Sequence, residues 1–362
     1  MLTRLALIAL PLLLAALALA LAGCAPADSS ASSDARVEVS VHAAEQRVDI
    51  RIDGALFTSY VYNDSIVTLK KPVLYPIRTA AGHDVTRGYP FEQRAGERVD
   101  HPHHIGHWLN YGDVNGFDFW NNSDAIAPDR APHMGTIRQR SILSAQSGDD
   151  EGVLEVETDW VTPASAEPLL RERTRFAFSG DASARYIDRL TTLTAQSQDV
   201  VFTDNKEGMI AIRVTRALEH PEGKPVRVTD ERGRPMDEPT LDETGVSGEY
   251  LSSEGIRGVD VWGTRATWMI LSGQLDDERV AVALIDHPSN PGYPTYWHAR
   301  GYGLFAANPL GQKAMSGGKD ELNYTLKPGE SVTFRYRIAV LSNPADAEST
   351  VKQLASSFAS SL

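Results

Sequence analysis

The chain has 362 residues, with 35 Lys and Arg against 48 Asp and Glu, a net charge of -13 and 42% hydrophobic residues. That is the composition of a folded globular protein, and it excludes collagen-like, mucin-like and wholly disordered chains. The acidic balance without a clustered basic face excludes a nucleic-acid partner, which needs cations to displace counterions from phosphate. A single Cys excludes an internal disulfide.

Arg4 precedes an apolar run from Leu5 to Leu21, broken by Pro11 and ending Leu21-Ala22-Gly23-Cys24. The segment resembles a bacterial lipoprotein signal, so residues 1–23 are read as a signal peptide and Cys24 as the lipidated residue. The alternative is an uncleaved anchor, for which a run of about 17 residues is short of the usual ~20. Residues 24–35 are small and polar and read as a flexible tether. Ala25, where Asp would imply inner-membrane retention, implies an outer-membrane lipoprotein facing the periplasm, attached to the membrane only through its lipid.

From Val37 onward short alternating runs predict strands: Val37, Val39 and Val41, then Val48, Ile50 and Ile52 with an Asp53-Gly54 turn before Leu56-Phe57. The signal returns over 153–160, 173–178, 186–193, 209–214 and 280–285. It is cleanest at Val332, Phe334, Tyr336, Ile338 and Val340, with polar residues between. The polar stretch 219–248 lacks periodicity and reads as an excursion at the rim of the fold. One helix is predicted at the C-terminus, with Asn343-Pro344 as cap and first residue and Ala347, Val351, Leu354, Ala355 and Phe358 on its apolar stripe. No repeat and no strand–helix alternation appears. The expected fold is all-β, one large antiparallel β-sandwich over residues 36–362 with a short C-terminal helix; two stacked sandwich domains are the alternative.

Four of the ten histidines fall together in His101-Pro102-His103-His104-Ile105-Gly106-His107-Trp108. In an extended segment His101 and His103 share a face and His104 points away, so the pair can ligate a metal. Pocket histidines and structural histidines share this composition. The string lacks the Glu that would complete a cupin-like set, and Gly106 and Trp108 mark a turn, so hydrogen bonding and proton transfer are expected, with no metal or cofactor. Asp113, Asp118 and Trp120 are the polar and aromatic candidates that follow. A second cluster, Asp286 and His287 through Trp297, His298, Arg300 and Asn308, reads as a loop launched from the end of the strand 280–285. Lys206 and Glu207 form a third candidate, with an ordinary solvated turn as the alternative. Arg265, between Trp262 and Trp268, either clamps an anion or staples a bend. Nucleophile-elbow, Walker, paired-Cys and dinucleotide motifs are absent.

Together, His101-Pro102-His103-His104 with Gly106 and Trp108, the string 112–120, Lys206-Glu207-Gly208, Asp260-Val261-Trp262-Gly263 and Asp286-His287-Pro288 through Asn308-Pro309 resemble the PmoA-labelled family of uncharacterised bacterial secreted proteins. The label is shared with a subunit of a membrane methane oxygenase, whose activity is not implied, because the only long apolar run is the leader. The order of motifs also resembles the galactose-mutarotase-like supersandwich, with Asn205-Lys206-Glu207 where mutarotases carry a His. That resemblance implies a sugar on a concave sheet and a small-molecule or oligosaccharide substrate. By that resemblance His103 or His104 would be the acid or sugar contact and Asp286 the base; His298 is a further catalytic candidate, and His101, His107, Asp113, Asp118, Trp120, Lys206, Glu207, His287, Trp297, Arg300 and Asn308 are expected around the ligand. The function expected is a lipid-anchored periplasmic protein doing His/carboxylate acid–base chemistry on a sugar, as an epimerase, lyase or hydrolase. The alternatives are a non-catalytic sugar-binding lipoprotein and a metal-dependent enzyme using His101 and His103.

Overall fold

Alternating residues settle into strands when one face of each finds a partner layer to exclude water from. The structure, a computed structural model, describes residues 36–165 and 167–360; the expected signal peptide, Cys24 and the whole tether lie outside the described residues. In chain order the strands are β1 (Val37–His42), β2 (Arg47–Ile52), β3 (Ala55–Val61), β4 (Val73–Ile77), β5 (His107–Tyr111), β6 (Thr136–Gln146), β7 (Gly152–Val161), β8 (Leu170–Gly180) and β9 (Ala184–Ala195). They continue as β10 (Val200–Phe202), β11 (Gly208–Arg213), β12 (Glu249–Ser252), β13 (Trp268–Leu275), β14 (Glu278–Asp286), β15 (Tyr296–Ala299), β16 (Leu304–Asn308), β17 (Tyr324–Leu326) and β18 (Ser331–Ser342).

Two eight-stranded sheets form, in the orders β1-β2-β3-β4-β5-β11-β16-β15 and β12-β13-β14-β18-β9-β8-β7-β6, with β10 and β17 paired apart. The pairings are antiparallel, as the expected all-β sandwich requires. Val48, Ile50 and Ile52 of the first sheet and Val332, Phe334, Tyr336, Ile338 and Val340 of the second are buried in one core between the layers. Val41, placed in the same alternation by its sequence, is 42% exposed near the end of an edge strand.

The outer face of the second sheet is closed by α2 (Ala347–Ala359), which follows the short α1 (Gln312–Met315) and lays Val351 and Phe358 on Ile270, Ala283 and Leu341. Its cap is Asp346, whose side chain accepts from the Ser349 N–H at 2.9 Å, and not Asn343-Pro344. Asn343 instead takes a left-handed φ of 47° and binds the Arg279 N–H, a turn role that competes with helix capping. The excursion 219–248 contains no extended strand and folds onto the loop before the His string, where the Thr229 hydroxyl donates to the Arg94 carbonyl at 2.5 Å.

Candidate functional site

On the face of the first sheet turned away from the core, the register places Trp108 of β5 opposite Ala211 of β11, Ala211 opposite Ala306 of β16, and Ala306 opposite His298 of β15. Opposed residues share a face, so these four form one row with two small residues between a Trp and a His. Trp120 packs into the row, its ring 5.4 Å from Trp108 and 6.4 Å from His298 between centroids. Asp118 aims it: the carboxylate accepts the N–H groups of Trp120 and Asn121, each at 2.9 Å.

The His string folds over the Trp108 end. It is not extended: His101 has a φ of 41°, and the His104 N–H reaches the His101 carbonyl at 2.9 Å. This turn gathers rings that an extended chain would split. His104 stacks on Trp108 at 5.3 Å, His101 stacks on His104 at 4.8 Å and on Tyr302 at 5.0 Å, and His103 meets His104 edge-on at 4.3 Å. Gly106 permits the exit into β5, with φ of 58° and the Leu74 carbonyl 2.2 Å from where a Cβ would stand.

Charged groups that were not singled out in the sequence support the turn from below. Arg213 and Arg87, both fully buried, each reach the Asp100 carboxylate at 2.6 Å. Arg213 also lies 3.3 Å from His104 Nδ1. Arginine only donates, so Nδ1 accepts and the His104 proton sits on Nε2. Arg98 pairs with Glu219 at 2.8 Å and Glu222 at 3.0 Å, joining the 219–248 excursion to the same network. Lys71, also buried, donates to the His103 carbonyl at 2.8 Å with its ammonium 5.2 Å over the Trp108 ring. Asp100, immediately before His101, was the available signal; a lone Arg213 at the end of an apolar run reads as a solvated strand terminus.

Among the described residues, four polar atoms in and beside this ring cluster, His103 Nε2, His104 Nε2, Trp108 Nε1 and Asn110 Oδ1, are buried without a hydrogen-bond partner. Unpaired buried groups cost about 1–3 kcal/mol each, so several in one place call for a reason beyond packing. Three of the imidazoles, His103, His104 and His298, are held toward the neutral form. Burial, then Lys71 and the other nearby cations, pushes His103 down to about 2; burial and His103 hold His104 well below its ordinary value; burial and Arg300 bring His298 down to about 3. Burial raises Asp100, but Arg213, His101 and Arg87 outweigh it and keep the carboxyl well below the ordinary range.

The string and the late segment therefore meet, through His101 on Tyr302 and Trp120 on His298, with Glu207 3.7 Å from His298 Nδ1 and against the Lys206 ammonium. Arg300 borders them, its guanidinium 4.6 Å over Trp262. Segment 296–308 is not a loop but the hairpin of β15 and β16, which is why His298 is fixed in the row.

Other expected members lie elsewhere. Asp286 ends a strand of the second sheet, where its carboxylate accepts from the His287 N–H, Asn290 Nδ2 and the Thr295 N–H; it ties the crossing loop, and burial raises it to about 7. His287 packs edge-on against Phe358 of α2. Trp297 alternates with His298, so it enters the core and donates to the Ala266 carbonyl at 3.1 Å. His107 alternates with Trp108 and faces the core, bonding the Ala211 carbonyl at 2.9 Å with Arg189 3.4 Å from Nε2. Asp113 closes the turn to Gly116, and Asn308 holds the carbonyls of Asn205 and Lys206. Arg265 staples the bend at 292–294 through its carbonyls. Among the described residues no group of three or more His, Cys, Asp or Glu side chains is placed to share a metal ion.

No curated protein matches the chain. Among solved structures it is similar to the galactosidase domain of the alpha-galactosidase–sucrose kinase AgaSK, at 8% identity and a TM-score of 0.39, covering 84% of this chain but only 41% of that one. It is similar to a galactose mutarotase-like protein from Clostridium acetobutylicum (10% identity, TM-score 0.33, covering 85% and 99%) and to a putative aldose 1-epimerase from Escherichia coli K12 (12%, 0.26, covering 84% and 98%). A family model matches residues 47–355, and the chain belongs to that family: DUF6807, a family of unknown function.

Proposed function

We propose that the outer face of the first sheet binds a saccharide. The observation that carries this is the ring cluster with its four unpaired buried polar atoms. Aromatic faces take the C–H faces of a pyranose, while imidazole, indole and amide groups meet its hydroxyls. Neutral histidines and an arginine–carboxylate network in which Arg87 and Arg213 pair with Asp100, and Arg98 and Arg216 with Glu219, suit an uncharged ligand at this point. The strings that resemble PmoA-labelled proteins supply much of this face. Calorimetric titration with a panel of neutral mono- and oligosaccharides tests it: binding that is lost in His298→Ala supports the proposal, and no heat from any sugar opposes it.

A second reading, acid–base turnover, is favoured by Glu207 lying 3.7 Å from His298 Nδ1. His298 would accept a proton from a sugar hydroxyl and Glu207 would steady the imidazolium, although a base held at about 3 is poorly matched to neutral pH. NMR exchange of anomeric protons, abolished in Glu207→Gln with binding kept, is the expected sign of turnover. We also propose the periplasm-facing lipid anchor at Cys24, testable by mass spectrometry of the membrane-extracted N-terminus.

A further inference from the structure

Beside the ring cluster, between the segment after β3 and the start of β6, lies a cleft of about 460 Å³ lined by Tyr62, Asn63, Asp64, Lys70, Arg138 and Gln139. Two of its cations have no partner of their own. Acidic residues outnumber basic ones, 48 to 35, and Arg87, Arg98 and Arg213 below the His string are held in ion pairs, yet among the described residues the Lys70 ammonium and the Arg138 guanidinium make neither an ion pair nor a hydrogen bond. The one carboxylate in the lining, Asp64, pairs with neither of them. Lys71 connects the cleft to the ring cluster: its side chain lines the cleft, while its ammonium reaches the His103 carbonyl at 2.8 Å and lies over Trp108. Leu69 likewise lines the cleft and packs on the Trp108 cluster. The two surfaces are neighbours.

We propose that this cleft is an anion subsite that takes the carboxylate or sulfate group of an acidic saccharide whose uncharged rings lie on the Trp108–His298 row. The proposal rests on the reading of that row as a saccharide site. An ammonium and a guanidinium with no partner of their own hydrogen-bond an oxyanion without first breaking an internal pair, and Arg138 can offer two parallel donors. Gln139 and Asn63 add amide groups, and the Tyr62 ring offers a face to the sugar that carries the charge. Buried Lys71 is a third cation on the path between the two surfaces, held down to about 7 by burial, so an anion nearby favours its charged form.

The test is calorimetric titration of the mature protein at low ionic strength with glucuronate, inorganic sulfate and the neutral saccharide panel, in the wild type and in the double variant K70A/R138A. Neither substituted residue belongs to the ring cluster, and both lie at the surface or half-buried, so thermal unfolding is expected to match the wild type. Loss of two charged contacts should weaken glucuronate or sulfate binding by roughly tenfold or more and leave neutral saccharide binding unchanged. Binding of glucuronate alone assigns the subsite to uronic acids, and of sulfate alone to sulfated sugars. Equal anion binding by wild type and variant, or no anion binding by the wild type, overturns the subsite. Anion binding that depends on Lys70 and Arg138 without binding of any neutral sugar keeps the subsite and refutes the saccharide reading of the row.

Discussion

Acidification from about pH 7 to about pH 5.5 challenges four buried imidazoles at once: His103 and His298, held down to about 2 and about 3, and His104 and His107, held well below the ordinary value. In the folded protein they stay neutral; in the unfolded chain they take protons with a pKa of about 6.5. The unfolded state then binds more protons, so stability is full above about 6.5 and is lost as pH falls. Between the two pH values each loses about 1.3 kcal/mol, and four lose about 5 kcal/mol. Asp286 opposes them. Its folded value of about 7 lets the native state keep a proton that the unfolded chain has lost, returning about 1.6 kcal/mol over the interval. The net loss is about 3.4 kcal/mol, which His83, Glu97 and Glu219, all raised, reduce in the same direction as Asp286, while Lys71, lowered to about 7, adds about 0.4 kcal/mol to it. Urea unfolding followed by tryptophan fluorescence at the two pH values measures it. Stability that is flat or rises on acidification, or NMR titration of these imidazoles near 6.5, would refute the assignment of neutral, buried histidines.

Three further outcomes are expected. Arg213→Met leaves Asp100 with one guanidinium in place of two and should cost about 3–5 kcal/mol in chemical denaturation, where a loss below about 1 kcal/mol would show that the network is not a support. Gly106→Ala must relieve a φ of 58° and a Cβ 2.2 Å from the Leu74 carbonyl, so a loss of about 2 kcal/mol or more is expected from the same assay. His83 bonds Glu278 at 2.6 Å and its folded value is raised, so its stabilising effect is full below the ordinary His value and fades as pH rises through the folded one. His83→Gln should therefore destabilise more at pH 6 than at pH 8, and an equal effect at both contradicts the pairing.

Strands with one wet face were legible. β2, β7, β9 and β18 alternate apolar with polar residues because one side of each lies in the core, and the sequence shows that period directly. β5, β15 and β16 were not legible as strands. Every residue in them is buried, with Trp, His and Asn facing a covered outer side, so the contrast that reveals a strand is missing. For the same reason His107 and Trp297 were placed in the pocket with their neighbours, although one-residue alternation sends them to the core. The His string and its meeting with His298 could be anticipated from composition. The fold-back at His101–His104 could not, because its support is distant in sequence: Arg213 on β11 and Arg87 both hold Asp100. Asp286 looked like a site carboxylate at a strand end, but its three donors come from the loop it ties.

The most direct measurement is a crystal structure of the protein soaked with the tightest-binding saccharide of the panel. The account predicts a sugar ring against the Trp108, Trp120 and His298 row, with hydroxyls within hydrogen-bond distance of His103 Nε2 and His104 Nε2. A saccharide bound elsewhere, with that row and those two nitrogens untouched, would contradict it.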